Sequence, residues 1–193
     1  MTHSSSLEPD GSDESSPPLV WYSLTPQLLV DHPDIAQKID EFRALDHPAG
    51  KRAEAYLRGE ALAGPTAKVH VLVGPERIEG FIATTFTEVV LERTDISGMG
   101  FFDQRTRVPA FYLAWVAKHR DTAVPGSDLV RAAYGLGLEA AALGGLVAFV
   151  LDPADDAVAE LWMGDPYNFQ QSKTKPGSDG VPKKLWTPLR EVD

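Results

Sequence analysis

The sequence contains no cysteine. A disulfide framework, a thiolate metal site and a cysteine nucleophile are therefore excluded. The same absence fits a reducing compartment such as the cytoplasm. Basic residues are also short: 18 Lys and Arg stand against 28 Asp and Glu, a formal charge of −10. Binding through phosphates needs a basic face. The one Lys cluster, Lys173, Lys175, Lys183 and Lys184, reads as a solvated loop, so nucleic acid is disfavoured as a partner. The five histidines, His3, His32, His47, His70 and His119, are dispersed without ligand spacing, so no metal site is expected. No long apolar run exists. Arg131 and Glu139 interrupt residues 129–151, and the uncharged remainder, Ala140 to Leu151, is too short to cross a bilayer. The polar, acidic N-terminus has none of the character of a secretory leader. Walker, Gly-x-Ser-x-Gly and Gly-x-Gly-x-x-Gly signatures are missing too.

What remains is an ordinary globular composition: 193 residues, 43% hydrophobic and 24% charged. That suffices for one domain with a real core. Residues 1–18 are rich in Ser, Asp, Glu and Pro and are expected to be a disordered acidic tail. Residues 19–193 are expected to form the single domain.

The most informative stretch is 111–151. Phe111 to Ala117 is aromatic and β-branched, as a strand requires. Pro125-Gly126 marks a turn, and Ser127 reads as the cap of a helix with Asp128 in its first turn. Leu129, Ala132, Ala133, Leu136, Ala140 and Leu143 recur at helical spacing until Gly144-Gly145. Leu146 to Leu151 is a continuous apolar run, the mark of a strand buried on both faces. The unit is a strand, a loop, a helix and a second strand, expected to pair in parallel. Its loop opens on a helix N-terminus, where unpaired N–H groups and a partial positive charge suit a phosphate. Gly135 and Gly137, inside the helix, read as close helix–sheet packing.

Around this unit the chain reads as a strand at 19–24, broken by Thr25-Pro26, then helices at 33–45 and 49–63. A hairpin follows, with strands 68–73 and 78–91 around Gly74-Pro75-Glu76-Arg77. Residues 92–107 read as a surface loop. After the central unit come a helix over Asp156 to Met163 behind an Asp152-to-Asp155 cap, a strand at 167–171, a loop at 173–182 and a last strand at 184–189. The fold class is α/β (α+β): a mixed sheet with helices packed on it.

In this order the chain resembles the GNAT acyltransferase superfamily over roughly residues 20–189. FYLAWVAKHR is similar to the family's fourth strand, VPGSDLVRAA to its pyrophosphate loop and following helix, and GLVAFVLD to its fifth strand. AVAELW resembles the Ala-x-x-Phe-Tyr helix, and the phenylalanine of YNF the closing Gly-Phe strand. FRALDHPAGKRAEAYLRGEAL is similar to the two helices that open the acetyltransferase toxins of bacterial toxin–antitoxin pairs. KVHVLV with IEGFIATT resembles their hairpin, and KKLWTPL their last strand. The resemblance implies a mostly antiparallel sheet with central parallel strands and flanking helices. It implies acetyl-CoA as co-substrate and transfer of the acetyl group to an amine. The toxin-like front suggests an aminoacyl-tRNA or a protein amine, and the acidic charge argues against the tRNA, which leaves an amine carried by a small molecule or a protein. A homodimer and an antitoxin partner are left open.

The resemblance also implies roles. Backbone groups of Trp115, Val116 and Ala117 would pair with the pantetheine arm as an added strand does. N–H groups between Val124 and Asp128, including Gly126 and Ser127, would cradle the pyrophosphate. His119, for its intrinsic pKa, and Glu88 are the candidates for general base. The chain departs from the family at three places. Asp121 stands at the Gln/Arg position of the loop, Val124 at its first glycine, and Trp162 at the helix tyrosine. An indole N–H cannot act as an acid, so Tyr167 becomes the candidate acid. A GNAT-fold protein that binds or regulates without catalysis is the alternative reading.

Overall fold

The computed structural model describes residues 18–64, 66–92, 105–165, 167–172 and 184–189. Seven strands form one sheet in the order β1-β2-β3-β4-β5-β7-β6. The strands are β1 (Val20–Ser23), β2 (Lys68–Val73), β3 (Ile78–Glu92), β4 (Arg105–Lys118), β5 (Ala148–Leu151), β6 (Gln170–Gln171) and β7 (Leu185–Pro188). All neighbours are antiparallel except β4 and β5, which are parallel. The expected mixed sheet with a central parallel pair is therefore present.

One face carries α1 (Pro26–Asp31), α2 (Pro33–Glu41) and α3 (Pro48–Gly59). Ile35, Ile39, Phe42, Ala53, Tyr56 and Leu57 bury against Val69, Val71, Phe81 and Ala83 of the sheet. The other face carries α4 (Gly126–Gly144) and α5 (Asp156–Met163). There Leu129, Ala133, Ala159 and Trp162 pack on Ile82, Leu113, Phe149 and Leu151. Both layers follow from alternation along the strands, which sends successive side chains to opposite faces.

Several expectations are corrected. Thr25-Pro26 does not simply break a strand: Thr25 Oγ1 accepts from Leu28 N at 3.1 Å and caps α1, with Pro26 at its first position. Residues 105–107, read as loop, begin β4, which pairs with β3 along a two-stranded arm from Glu88↔Pro109 to Glu92↔Arg105. The strand expected at 167–171 is reduced to Gln170–Gln171. The helix expected from Ser127 begins one residue earlier, with Pro125 at the cap and no side-chain cap bond. Ser127 is thus inside the first turn and is not the cap. Gly137 packs as read: a methyl there would lie 3.0 Å from Leu189 and 3.2 Å from Phe111. Gly135 does not, since nothing lies within 4 Å of its would-be Cβ. The expected tail and the 173–182 loop lie outside the described residues, apart from Pro18 at the end of the former.

Candidate active site at the parting of two strands

The site is built where β4 and β5 separate. Their parallel pairing runs from Ala110↔Ala148 to Leu113↔Leu151 and stops with the end of β5. β4 continues to Lys118, held on its other edge by β3. Among the described residues, the edge of β4 over Ala114–Lys118 therefore faces no strand of the sheet, which suits its peptide groups to pairing with an added extended chain. Trp115, Val116 and Ala117 lie on this edge.

A bulge sits at the same place. Ala83 faces Trp115 while Thr84 faces Leu113, so Ala114 is the extra residue on β4. Such a bulge bends its strand and shifts the alternation by one. Consequently Trp115 and Ala117 pack with the α2–α3 layer, and Val116 packs with the α4 layer. Trp115 is stacked on Tyr56 with ring centres 5.0 Å apart.

On the α4 side, the loop after β4 leads to the helix N-terminus. Lys118 Nζ donates to the Val124 carbonyl at 3.4 Å, and Val124 N donates to Thr122 Oγ1 at 3.1 Å. With no side-chain cap on α4, its first N–H groups, at Gly126 and Ser127, have no helical partner to donate to. Among the described residues, nothing lies within 4 Å of a methyl group built on Gly126. Asp128 is paired with Arg131 at 2.9 Å, which offsets its charge within the first turn. Uncapped N–H groups, an open approach and one cation nearby fit an anionic pyrophosphate.

Asp121 is tied to the end of β4. Its carboxylate lies 3.6 Å from Arg120 Nε and 3.9 Å from His119 Nδ1. Arg120 therefore counters its charge. Val124 is half-buried and packs against the α4 cluster.

On the opposite face, the segment between α2 and α3 spans the mouth of the gap. Ala44 bridges His119, and Arg120 N donates to the Arg43 carbonyl at 2.7 Å. Glu54 accepts from Ala44 N at 2.8 Å, and Arg58 holds the Phe42 carbonyl. At the other end of the segment, His47 Nε2 lies 3.6 Å from Asp155 Oδ2, the capping carboxylate of α5. The segment thus reaches from the β4 end to the loop after β5.

The three catalytic candidates are not gathered in one place. His119 is buried, edge-on to Phe42 at 5.8 Å, and its Nδ1 accepts from Asp121 N at 3.1 Å. Burial, and then the charge of Arg77, push its pKa down. The imidazole is therefore a neutral, turn-closing group. Glu88 is exposed and paired with Arg107 at 3.4 Å. It sits opposite Pro109, roughly 15 Å along the strand from the bulge. The structure thus leaves it away from the parting of the strands. Tyr167 packs on Trp162 at 4.9 Å between ring centres. Burial, and then the negative charge of Asp128, raise its pKa. Tyr167 packs on the α4-side cluster, with its hydroxyl kept protonated. Trp162 itself is buried against Tyr167 and Phe169.

Two groups at the site went unread in the sequence. Lys118 is one. The other is a cluster on the face opposite α4: Tyr112 donates to Asp152 Oδ2 at 3.0 Å, and Lys184 reaches Asp152 Oδ1 at 2.7 Å. The end of an apolar strand run at Leu151-Asp152 was the only signal for it.

The sequence matches no protein-family model and no curated protein. Solved structures do share its architecture. AtaT complexed with acetyl-methionyl-tRNAfMet aligns with TM-score 0.65 at 16% identity, over 89% of this chain and 95% of that one. A mutant of KacT aligns with TM-score 0.63 at 14% identity, over 89% and 95%. AtaTR bound with acetyl-CoA aligns with TM-score 0.60 at 15% identity, over 89% and 93%. With two central strands that part, a bulge at the parting and an uncapped helix opening on the gap, this chain has the GNAT fold, in the layout that the toxins AtaT and KacT share.

Proposed function

We propose that the chain is an acetyl-CoA-dependent N-acyltransferase acting on a small-molecule or protein amine by direct transfer. The observation that carries this reading is the open edge of β4 beyond Leu113, beside the uncapped N-terminus of α4. The co-substrate supplies a thioester carbonyl for an amine to attack. Trp115, Val116 and Ala117 hold the pantetheine arm by backbone pairing. The N–H groups of Gly126 and Ser127, with Lys118, hold the pyrophosphate. The loop at Val124 and the first turn through Asp128 frame it.

Tyr167 is the acid in this reading. Its pKa lies above the usual phenol range, so it arrives protonated and donates to the departing sulfur. His119, a neutral imidazole near the end of β4, remains the base candidate, and Glu88, exposed and paired with Arg107, is the second candidate. The tRNA named for the AtaT complex does not carry over as acceptor. A charge of −10 disfavours phosphate contact, although Glu8, Asp10, Asp13 and Glu14 of the N-terminal stretch account for part of it.

A second reading, a GNAT-fold binding protein without catalysis, draws on Val124 and Trp162. Thermal melting with acetyl-CoA tests the first part of the proposal. A ligand at a hundred times its dissociation constant adds about 2.7 kcal/mol. No shift at millimolar acetyl-CoA sinks the acyltransferase. A shift without thiol release across a panel of primary amines favours the binding protein.

A further inference from the structure

A single lysine ammonium is built into the face of the gap opposite α4. Lys184 Nζ lies 2.7 Å from Asp152 Oδ1 and 4.7 Å from the centre of the Tyr112 ring. Tyr112 fixes the carboxylate by donating to Asp152 Oδ2 at 3.0 Å. A carboxylate and an aromatic face together make an ammonium site.

Strand register sets this cluster at the parting. Tyr112 faces Val150, and Leu151 is the last residue of β5 to pair with β4. Asp152 follows directly. Leu185 faces Leu151, which leaves Lys184 opposite Asp152. Tyr112 immediately precedes Leu113 and the bulge at Ala114. Lys118, also on β4, turns toward Val124 on the other face. Lys184 is partly exposed, its side chain at 31%, while its ammonium lies 2.7 Å and 2.8 Å from the two Asp152 oxygens.

We propose that Lys184 is itself an acceptor: the protein acetylates its own Lys184. This rests on the acyl-CoA reading above. One proton of the ammonium passes to Asp152, and the freed Nζ lone pair attacks the thioester carbonyl carbon. The C–N bond forms, the C–S bond breaks and the sulfur leaves as thiolate, and the second amine proton passes to water as the amide forms. The thiolate takes a proton from water, or from Tyr167, which water then reprotonates. Asp152 releases its proton to solvent. The balance is ammonium plus acetyl thioester giving acetamide, thiol and one proton. The acetylated side chain is neutral and can no longer pair with Asp152.

The test is peptide mass spectrometry of the full chain incubated with acetyl-CoA, beside a urea-unfolded control that sets the chemical background. Lys184 should gain one acetyl group at least about tenfold faster than neighbouring Lys183, a modest share of what a positioned base supplies. The rate should not depend on protein concentration, because the transfer is intramolecular. Asp152→Asn should slow it by about 100-fold. Lys184→Arg, which keeps the charge and the pair, should abolish it while leaving the melting shift with acetyl-CoA intact. Equal labelling of Lys183 and Lys184 overturns the proposal. A melting shift without Lys184 acetylation also overturns it but leaves the acyl-CoA reading standing. Neither shift nor acetylation overturns both.

Discussion

Leu129, in the first turn of α4, sits directly over Gly80 of β3. A methyl group on Gly80 would lie 2.7 Å from Leu129 Cδ1 and 3.0 Å from the Ala117 carbonyl oxygen. This contact sets the height of the α4 N-terminus above the sheet, and so the place of the loop that faces the gap. Gly80→Ala should therefore cost about 1–3 kcal/mol through overpacking. It should also weaken acetyl-CoA binding more than its loss of stability explains. Denaturant melts and a binding titration on the same variant check both.

Gly126 poses the opposite case. It opens α4, its φ is not positive, and no described residue lies within 4 Å of a methyl built on it. Neither packing nor backbone demands a glycine there. If a pyrophosphate lies against the first turn, the methyl meets the ligand instead. Gly126→Ala should leave the melting temperature unchanged or slightly raised, since alanine is the better helix former. Acetyl-CoA affinity should fall by about tenfold, or ~1.4 kcal/mol. Unchanged affinity would mean that α4 begins at a plain helix end.

Buried imidazoles make stability depend on pH. His119 and His70 both have lowered pKa values, with burial the first cause in each; Arg77 adds to His119 and Lys68 to His70. The unfolded chain titrates near the ordinary imidazole value of about 6.5. Between that value and the lower folded one, the unfolded state binds more protons, so stability rises with pH. Their contribution is complete above about pH 7 and is lost as pH falls below 6.5. Melts between pH 5 and pH 8 should show this slope, and His119→Gln should flatten it. A slope unchanged by the substitution would show that His119 is not the titrating group.

How much of this was legible depended on whether a feature is local. The 68–73 strand, the 156–163 helix and the stop at Gly145 came through unchanged. Alternation, an Asp155 cap and a left-handed glycine at φ 67 are each written within a few residues. The short α1 was lost because Pro26 served as the first residue of a helix where it read as a breaker. The start of β4 was lost because residues 92–107, with Gly98 and Gly100, read as one loop, although 105–107 pair with β3. The loop and helix of the candidate site were legible for the same local reason. The Ala114 bulge was not, because register is a property of two strands. The Tyr112, Asp152 and Lys184 cluster was not either: three positions far apart in the chain meet only once β4, β5 and β7 are paired. The surroundings of His119 were not legible either, because Phe42, which meets its ring edge-on, lies far from it in the chain.

Lys118 and Tyr167 both lie on the α4 side of the sheet, and the proposal assigns them different steps. Lys118 Nζ holds the Val124 carbonyl at 3.4 Å, so its charge stands beside the loop where phosphate would lie. Its removal acts on ground-state binding. Lys118→Ala should weaken acetyl-CoA by about tenfold, ~1.4 kcal/mol, and reduce the salt dependence of binding. Tyr167 acts on the leaving sulfur, a charge present only as the thioester breaks. Tyr167→Phe keeps the ring against Trp162 and removes the proton. It should lower the rate of thiol release by about 100-fold while the dissociation constant for acetyl-CoA stays within about twofold. Binding and turnover measured on both variants separate the two roles. Loss of turnover in Lys118→Ala at saturating acetyl-CoA, or loss of binding in Tyr167→Phe, would reverse the assignment.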